Sequence, residues 1–157
     1  MMNSNRQSTK LSAKEHSLIV AGCAVAFFGF IDALYLTVHH YIDIPLPCTI
    51  LNGCDVVTTS AYSMIGPIPI ASLGTLYYIA VFFGFLLYRE TANVLFVRLT
   101  AALIAGAFSF SAWLVYLQGF VLHSWCQYCV VSALFTTILF ILISLLLFFI
   151  RPNTQRV

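Results

Sequence analysis

Charge is what this chain has least of. Seven Lys and Arg and five Asp and Glu are spread through 157 residues, 61% of which are hydrophobic, and the mean hydropathy is +0.97. So apolar a composition excludes an ordinary soluble domain, and it excludes disorder, which needs many charges and few apolar side chains. No run of like charge exists to bind nucleic acid, and the net charge of +2 is used up by membrane topology. Internal repeats, low-complexity stretches and a Gly/Ser-rich linker are also missing, so a single membrane domain over residues 1–157 is expected. Period-two alternation is absent too: Phe135 to Ile150 is almost continuously apolar. Membrane-barrel strands would carry polar residues at every second position, so helices fit and a barrel does not. Four apolar stretches, at about residues 17–40, 67–88, 93–118 and 126–150, each approach the roughly 20 residues that span a hydrocarbon core. The expected fold class is all-α: an integral membrane four-helix bundle, with a redox loop at about 41–66.

Basic residues are absent from the first and third connections. They sit before the first stretch (Arg6, Lys10, Lys14), around the second connection (Arg89, Arg98) and after the last stretch (Arg151, Arg156). Lys and Arg favour the cytoplasmic side, so both termini and the middle connection are expected inside, in a multi-pass cell membrane protein, with the other two connections outside. A cleaved signal peptide is the competing reading of the first stretch. Its apolar run exceeds the usual length of about 7 to 15 residues, and no small-residue cleavage site is evident.

Four of the five cysteines fall in the two outer connections, where disulfides form and persist. Cys48 and Cys54 flank Asn52-Gly53, a turn signal able to bring them within disulfide reach. Beyond them, Val56 to Met64 mixes apolar and small polar residues and predicts a short amphipathic helix along the membrane surface, and Gly66-Pro67-Ile68-Pro69 opens the second span. Cys126 and Cys129 stand at i and i+3 at the start of the last span. Ser124 is a candidate cap for a helix starting near Trp125, which would set Cys126 at the positive end of the helix dipole and favour its thiolate. Cys129 then lies deeper, toward lipid. A gradient from a wet sulfur to one beside the hydrocarbon suits a two-electron relay from a water-soluble thiol to an acceptor in the bilayer.

The acceptor follows by elimination. Oxidising a thiol carrier as strong as about −120 mV needs a cofactor still more oxidising. The chain has no Gly-rich dinucleotide turn, and Val130 stands where covalent haem attachment would need His. A quinone, of the ubiquinone or menaquinone class, is what remains. Two other classes stay open: a four-cysteine zinc site, though Cys-x5-Cys is unusual spacing, and a non-catalytic membrane protein whose two structural disulfides brace its outer loops.

The order of these features, with Cys48 and Cys54 followed by Ser60 and then Cys126-Gln127-Tyr128-Cys129 at the head of the last span, resembles the vitamin K epoxide reductase family, particularly its bacterial members. The resemblance runs from about Ala26 to Leu146, and Ser72-Leu73-Gly74 to Tyr78 is similar to the start of the family's second span. The family of bacterial disulfide-bond oxidases carries its closely spaced pair in the first outer loop, and here the order is reversed. The resemblance implies that Cys126 and Cys129 are the active-site pair, with Cys129 next to the quinone. It implies also that Cys48 and Cys54 pass electrons from a thioredoxin-like or DsbA-like protein, with Cys54 toward that partner and Cys48 toward Cys126. Vertebrate members have an asparagine near the start of the second span and a tyrosine one turn beyond the second active-site cysteine. Ile70 and Ala133 stand there in this chain, so plain quinone reduction is implied rather than epoxide reduction. No thioredoxin-like domain follows before Val157, so the thiol partner is expected to be a separate protein and the location a bacterial inner membrane.

Among the remaining polar residues, Asp32 lies inside the first span, where an ionisable group is a functional candidate, here for relaying protons to a reduced quinone. A carboxyl bonded to a neighbouring helix is the plain alternative. Ser72 and Ser132 are small donors able to reach a quinone carbonyl, and Trp125 and Tyr128 are placed to touch its ring, although helix packing and an aromatic belt account for all four. His39, His40 and His123 read as interfacial anchors, and Cys23 as packing.

Overall fold

The computed structural model describes residues 12–42, 46–48 and 53–154, the side chains of 151–154 excepted. The proposed turn residue Asn52 and the basic residues Arg6, Lys10 and Arg156 lie outside the described residues.

Four long helices carry the fold: α1 (Ala13–Tyr41), α3 (Ile70–Thr91), α4 (Val94–Tyr116) and α5 (Gln127–Thr154). All four are long and apolar enough to cross a bilayer, and the protein is a multi-pass membrane protein of all-α class. Each begins or ends where local chemistry allows. The Glu15 carboxylate accepts the Ser12 N–H at 2.8 Å, which holds the first turn of α1. Asn93 caps α4 by accepting the Leu95 N–H at 2.9 Å. Between α3 and α4 the chain turns through Ala92, in the left-handed region at φ 50°. A π-turn, Leu117–Val121, extends α4.

Helix α1 packs mainly on α3 and α5, and α4 packs on the same two, so the four close into a ring. The seam between α1 and α3 depends on small residues, as helix packing in lipid generally does. Ala26, Gly29 and Ala33 are buried along α1, and a Cβ on Gly29 would overlap the Tyr78 ring. The core runs from Ile19 and Phe85 at one end through Ile104 and Leu139 to Tyr78. Large apolar side chains also cover the outside: Phe28, Phe83, Leu99, Leu134 and Phe148 are all more than half exposed, as a lipid-facing surface requires.

The outer loop differs from its expected form. A single helix was expected from Val56 to Met64. In its place α2 (Cys54–Thr58) starts two residues earlier, a 3-10 turn follows at Ala61–Ser63, and strands β1 (Met64–Ile65) and β2 (Ile68–Pro69) pair antiparallel. The Ser60 Oγ donates to the Val57 carbonyl at 2.8 Å, closing α2 off rather than letting it continue. Gly66, at φ +63°, makes the two-residue hairpin turn.

Candidate functional site

Helix α5 begins two residues later than the Ser124 cap would set it. Ser124 does not cap it; its N–H is spent on the Gln118 carbonyl at 3.1 Å. Cys126 takes the capping role instead. Its carbonyl accepts the Val130 N–H at 3.0 Å, the first bond of the helix, and its sulfur accepts the Cys129 N–H at 3.4 Å. A thiol seldom caps a helix, but a thiolate is an acceptor at the end of the dipole that favours negative charge. The Cys129 thiol also donates to the Cys126 sulfur. These contacts hold the Cys126 thiol below its ordinary pKa, against the opposing effects of burial and of the Asp32 charge. The cap that the sequence assigned to Ser124 is thus made by the cysteine itself.

Cys48 and Cys54 form a disulfide, with Cα atoms 6.1 Å apart. Cys126 and Cys129 are free thiols. All four belong to one apolar cluster, in which Cys54 and Cys126 are buried beside Leu36 and Leu46, with Cys48, Cys129 and Tyr128 packed against them. Two contacts press the loop onto the head of α5. The Tyr128 hydroxyl donates to the Pro47 carbonyl at 3.2 Å. Gly53 lies so close to α5 that a Cβ there would come within 2.7 Å of the Trp125 amide nitrogen. Cys54 is 1% exposed whereas Cys48 is half-buried, so the loop sulfur open to solvent in this conformation is Cys48. The resemblance implies that Cys54 meets the partner, and exposing Cys54 would require α2 to lift away from Trp125.

Beneath the loop lies a cavity of about 610 Å³. Its wall is mostly apolar, with Leu36, Leu73, Phe110 and Leu114 from three helices, and Cys129 faces into it. Ser132 and Thr136 follow Cys129 on the same face of α5 and also line it. Their hydroxyls, however, turn to Tyr78, whose own hydroxyl donates to the Ser132 carbonyl at 2.9 Å and lies 2.9 Å from Ser132 Oγ and 3.2 Å from Thr136 Oγ1.

Of the residues singled out in the sequence, Cys129, Ser132 and Ser60 border this cavity, and Ser72, Trp125 and Tyr128 are not among its lining residues. Ser72 Oγ is committed to the Pro69 carbonyl at 2.6 Å, an ST-type contact that steadies the first turn of α3. Trp125 packs over Gly119, and Tyr128 stacks on Tyr35 with ring centroids 5.2 Å apart while holding the loop. Asp32 is not a lining residue either. Its Oδ2 is buried and makes no hydrogen bond, so it is not the interhelical bond of the plain alternative, and its charge acts on Cys126. Among the described residues no group of His, Cys, Asp and Glu is arranged to hold a metal ion.

Sequence reasoning missed two polar contributors. Gln118 is 2% exposed, and its Oε1 accepts the Cys126 N–H at 3.0 Å. Tyr77 lines the cavity with its hydroxyl buried. The signal for Gln118 was present: a polar amide stands alone in the apolar run 114–122, and a polar residue at membrane depth is rarely idle.

The model of the vitamin K epoxide reductase family matches residues 20–144, most of the chain and all four paired cysteines. No curated protein matches. Members of that family are in general oxidoreductases that use a quinone and a thiol redox partner.

Proposed function

Because the chain belongs to the vitamin K epoxide reductase family, we propose that it is a membrane thiol:quinone oxidoreductase that regenerates an extracytoplasmic disulfide donor. Electrons leave a separate thioredoxin-like protein, cross the Cys48–Cys54 pair, reach Cys126 and Cys129, and end on a quinone. One observation carries the reading: Cys126 is buried in one cluster with the loop disulfide while Cys129, one helical turn on, faces a large apolar cavity. The head of α5 is thus shared between a thiol-exchange site and a cavity of the size and character that hold apolar cofactors.

Each step balances. The partner's thiolate attacks one loop sulfur, and resolution of the mixed disulfide leaves the partner oxidised and the loop as two thiols. A loop thiolate attacks Cys126 of the Cys126–Cys129 disulfide, and its neighbour resolves that mixed disulfide, reforming the loop disulfide and freeing both α5 thiols. Those two thiols then give two electrons and two protons to the quinone, which leaves as hydroquinone, and the α5 disulfide is restored. Loop oxidised and α5 pair reduced is the distribution of this structure, the state that precedes the last step.

Cys126 is suited to be the sulfur attacked and released, because a stabilised thiolate is a good leaving group. The cavity's volume and mostly apolar lining suit a quinone, and Cys129 is the sulfur that lines it. Asp32 and Ser60 remain the proposed accessory residues, Asp32 as a buried carboxyl behind the thiols and Ser60 on the cavity rim.

Two substitutions separate the relay from a pair of structural disulfides. Cys129→Ser abolishes quinone reduction with every thiol donor. Cys48→Ser abolishes it with a protein donor but spares it with dithiothreitol, which reaches Cys126 directly. Equal loss in both variants with dithiothreitol would sink the relay.

A further inference from the structure

We infer that Gln118 is a quinone-binding residue, its side-chain amide donating a hydrogen bond to the quinone carbonyl nearest Cys129. The inference rests on the functional reading above and deepens it by naming a polar contact in a mostly apolar cavity.

Hydrogen-bond accounting leads to it. An amide has one oxygen and one amino group, and the partner of one fixes the direction of the other. The Cys126 N–H is a donor only, so the atom 3.0 Å from it must be the Gln118 oxygen, and the amino group points away. That amino group donates to no other described residue, although the residue is 2% exposed. The buried polar atoms left without a partner among the described residues are Asp32 Oδ2 and Tyr77 Oη, so the Gln118 nitrogen is not sealed in but opens to accessible space, where an acceptor can reach it. Gln118 lines the cavity that Cys129 also lines, so its amino group opens where the acceptor would lie.

Most of the Ser and Thr hydroxyls around this cavity are occupied, and the Tyr77 hydroxyl, buried without a hydrogen-bond partner, is the other donor that opens on it. Ser60 Oγ donates to the Val57 carbonyl, Ser63 Oγ to the Ser60 carbonyl and Thr58 Oγ1 to the Cys54 carbonyl, at 2.8 Å each. Ser132 and Thr136 are turned to Tyr78. Gln118 is held at the right height by the π-turn, which carries it past the end of α4 to the level of Cys126. One side chain thereby touches both halves of the chemistry: its oxygen steadies the backbone of the attacked cysteine, and its nitrogen meets the oxygen that gains charge as the quinone is reduced. Donors aimed at developing charge in a water-poor site are the arrangement that lowers such barriers.

Two variants test it, each assayed for reduction of a short-chain quinone with dithiothreitol as donor. Gln118→Met keeps the length of the side chain and removes both hydrogen bonds; its KM for quinone should rise roughly three- to tenfold, the value of one hydrogen bond, and by more than any rise in the KM for dithiothreitol. Gln118→Glu retains an oxygen for the Cys126 N–H and so preserves the backbone contact should Gln118→Met fail to fold. As a neutral acid this side chain still has a donor, and as a carboxylate it has none. Its quinone KM should therefore climb with pH beyond any change in the wild type, which carries the same Cys126, Cys129, Asp32 and His40. A quinone KM that stays at the wild-type value in Gln118→Met, or that follows the wild type across pH in Gln118→Glu, would leave the residue a mere support for Cys126 and overturn the inference. If the wild-type protein itself reduces no quinone, the functional reading fails, and this inference with it.

Discussion

At the scale of single residues, Cys126 does the work of a capping side chain and of a redox centre at once. Its sulfur accepts the Cys129 N–H, the bond that a Ser or Asp oxygen makes at an ordinary helix start, and the Cys129 thiol adds a second donor. Because the thiolate is the nucleophile, a pKa held below the ordinary value of about 8.5 moves reactivity to lower pH. In the reduced protein, alkylation of Cys126 by iodoacetamide should therefore reach half its maximal rate below that pH. In Cys129→Ala, which loses the thiol donor and keeps the backbone one, the midpoint should move up. A midpoint that stays in place would mean that the neighbouring thiol contributes nothing.

The pairs were legible in the sequence because cysteines are few and their connections lack Lys and Arg. The cap was not, since statistical preference points to Ser124 and gives no weight to a sulfur two positions on. Hydrogen bonds set where two other polar candidates stand. Ser72 and Tyr128 looked free to meet a ligand, yet Ser72 bonds the carbonyl three residues before it and Tyr128 bonds a carbonyl 81 positions away. Neither commitment can be read from residue type.

Among the elements, the outer loop departs most from its amphipathic pattern. It is held against α5 rather than laid along the membrane, and Gly53 is where the two come closest. A Cβ at that position would meet the Trp125 amide nitrogen at 2.7 Å and Ser124 Cβ at 2.9 Å, and the backbone atom cannot swing aside as a long side chain would. Gly53→Ala should thus shift α2, at a cost of about 1 to 3 kcal/mol, and part the Cys48–Cys54 disulfide from Cys126. Turnover with a protein thiol donor should drop about tenfold or more, since thiol exchange needs sulfurs in contact. Turnover with dithiothreitol should stay near the wild-type rate. A parallel fall with both donors would show that the substitution disturbs α5 itself, and would remove the loop's docking as a control on electron delivery. The long helices were far easier to read, because each apolar run is as long as the bilayer is thick and lipid imposes helix on it. The two-stranded hairpin at 64–69 was hidden, since two-residue strands are too short to show a period of two.

For the molecule as a whole, the order of the helices binds chemistry to sidedness. Four spans place the loop and the α4–α5 connection at one end of the bundle, where all four paired cysteines cluster, and place the α3–α4 turn at the other. Lys14, Arg89 and Arg98 lie at the far end, and no Lys or Arg lies at the cysteine end. Basic residues are retained in the cytoplasm, so the cysteine end should face outward. Redox chemistry sets the same direction, because a Cys48–Cys54 disulfide facing cytosolic glutathione and thioredoxin would be kept reduced. The two lines are independent, and one labelling experiment addresses both. In intact cells treated briefly with a mild reductant, an impermeant maleimide should modify the loop thiol of Cys48. It should leave unmodified a thiol introduced as Thr91→Cys, an exposed position in the last turn of α3, until the membrane is opened. Labelling of Thr91→Cys from outside, with Cys48 protected, would invert the bundle. The cysteine pairs would then meet the reducing compartment, and a role in regenerating an extracytoplasmic disulfide donor would be untenable whatever the cavity binds.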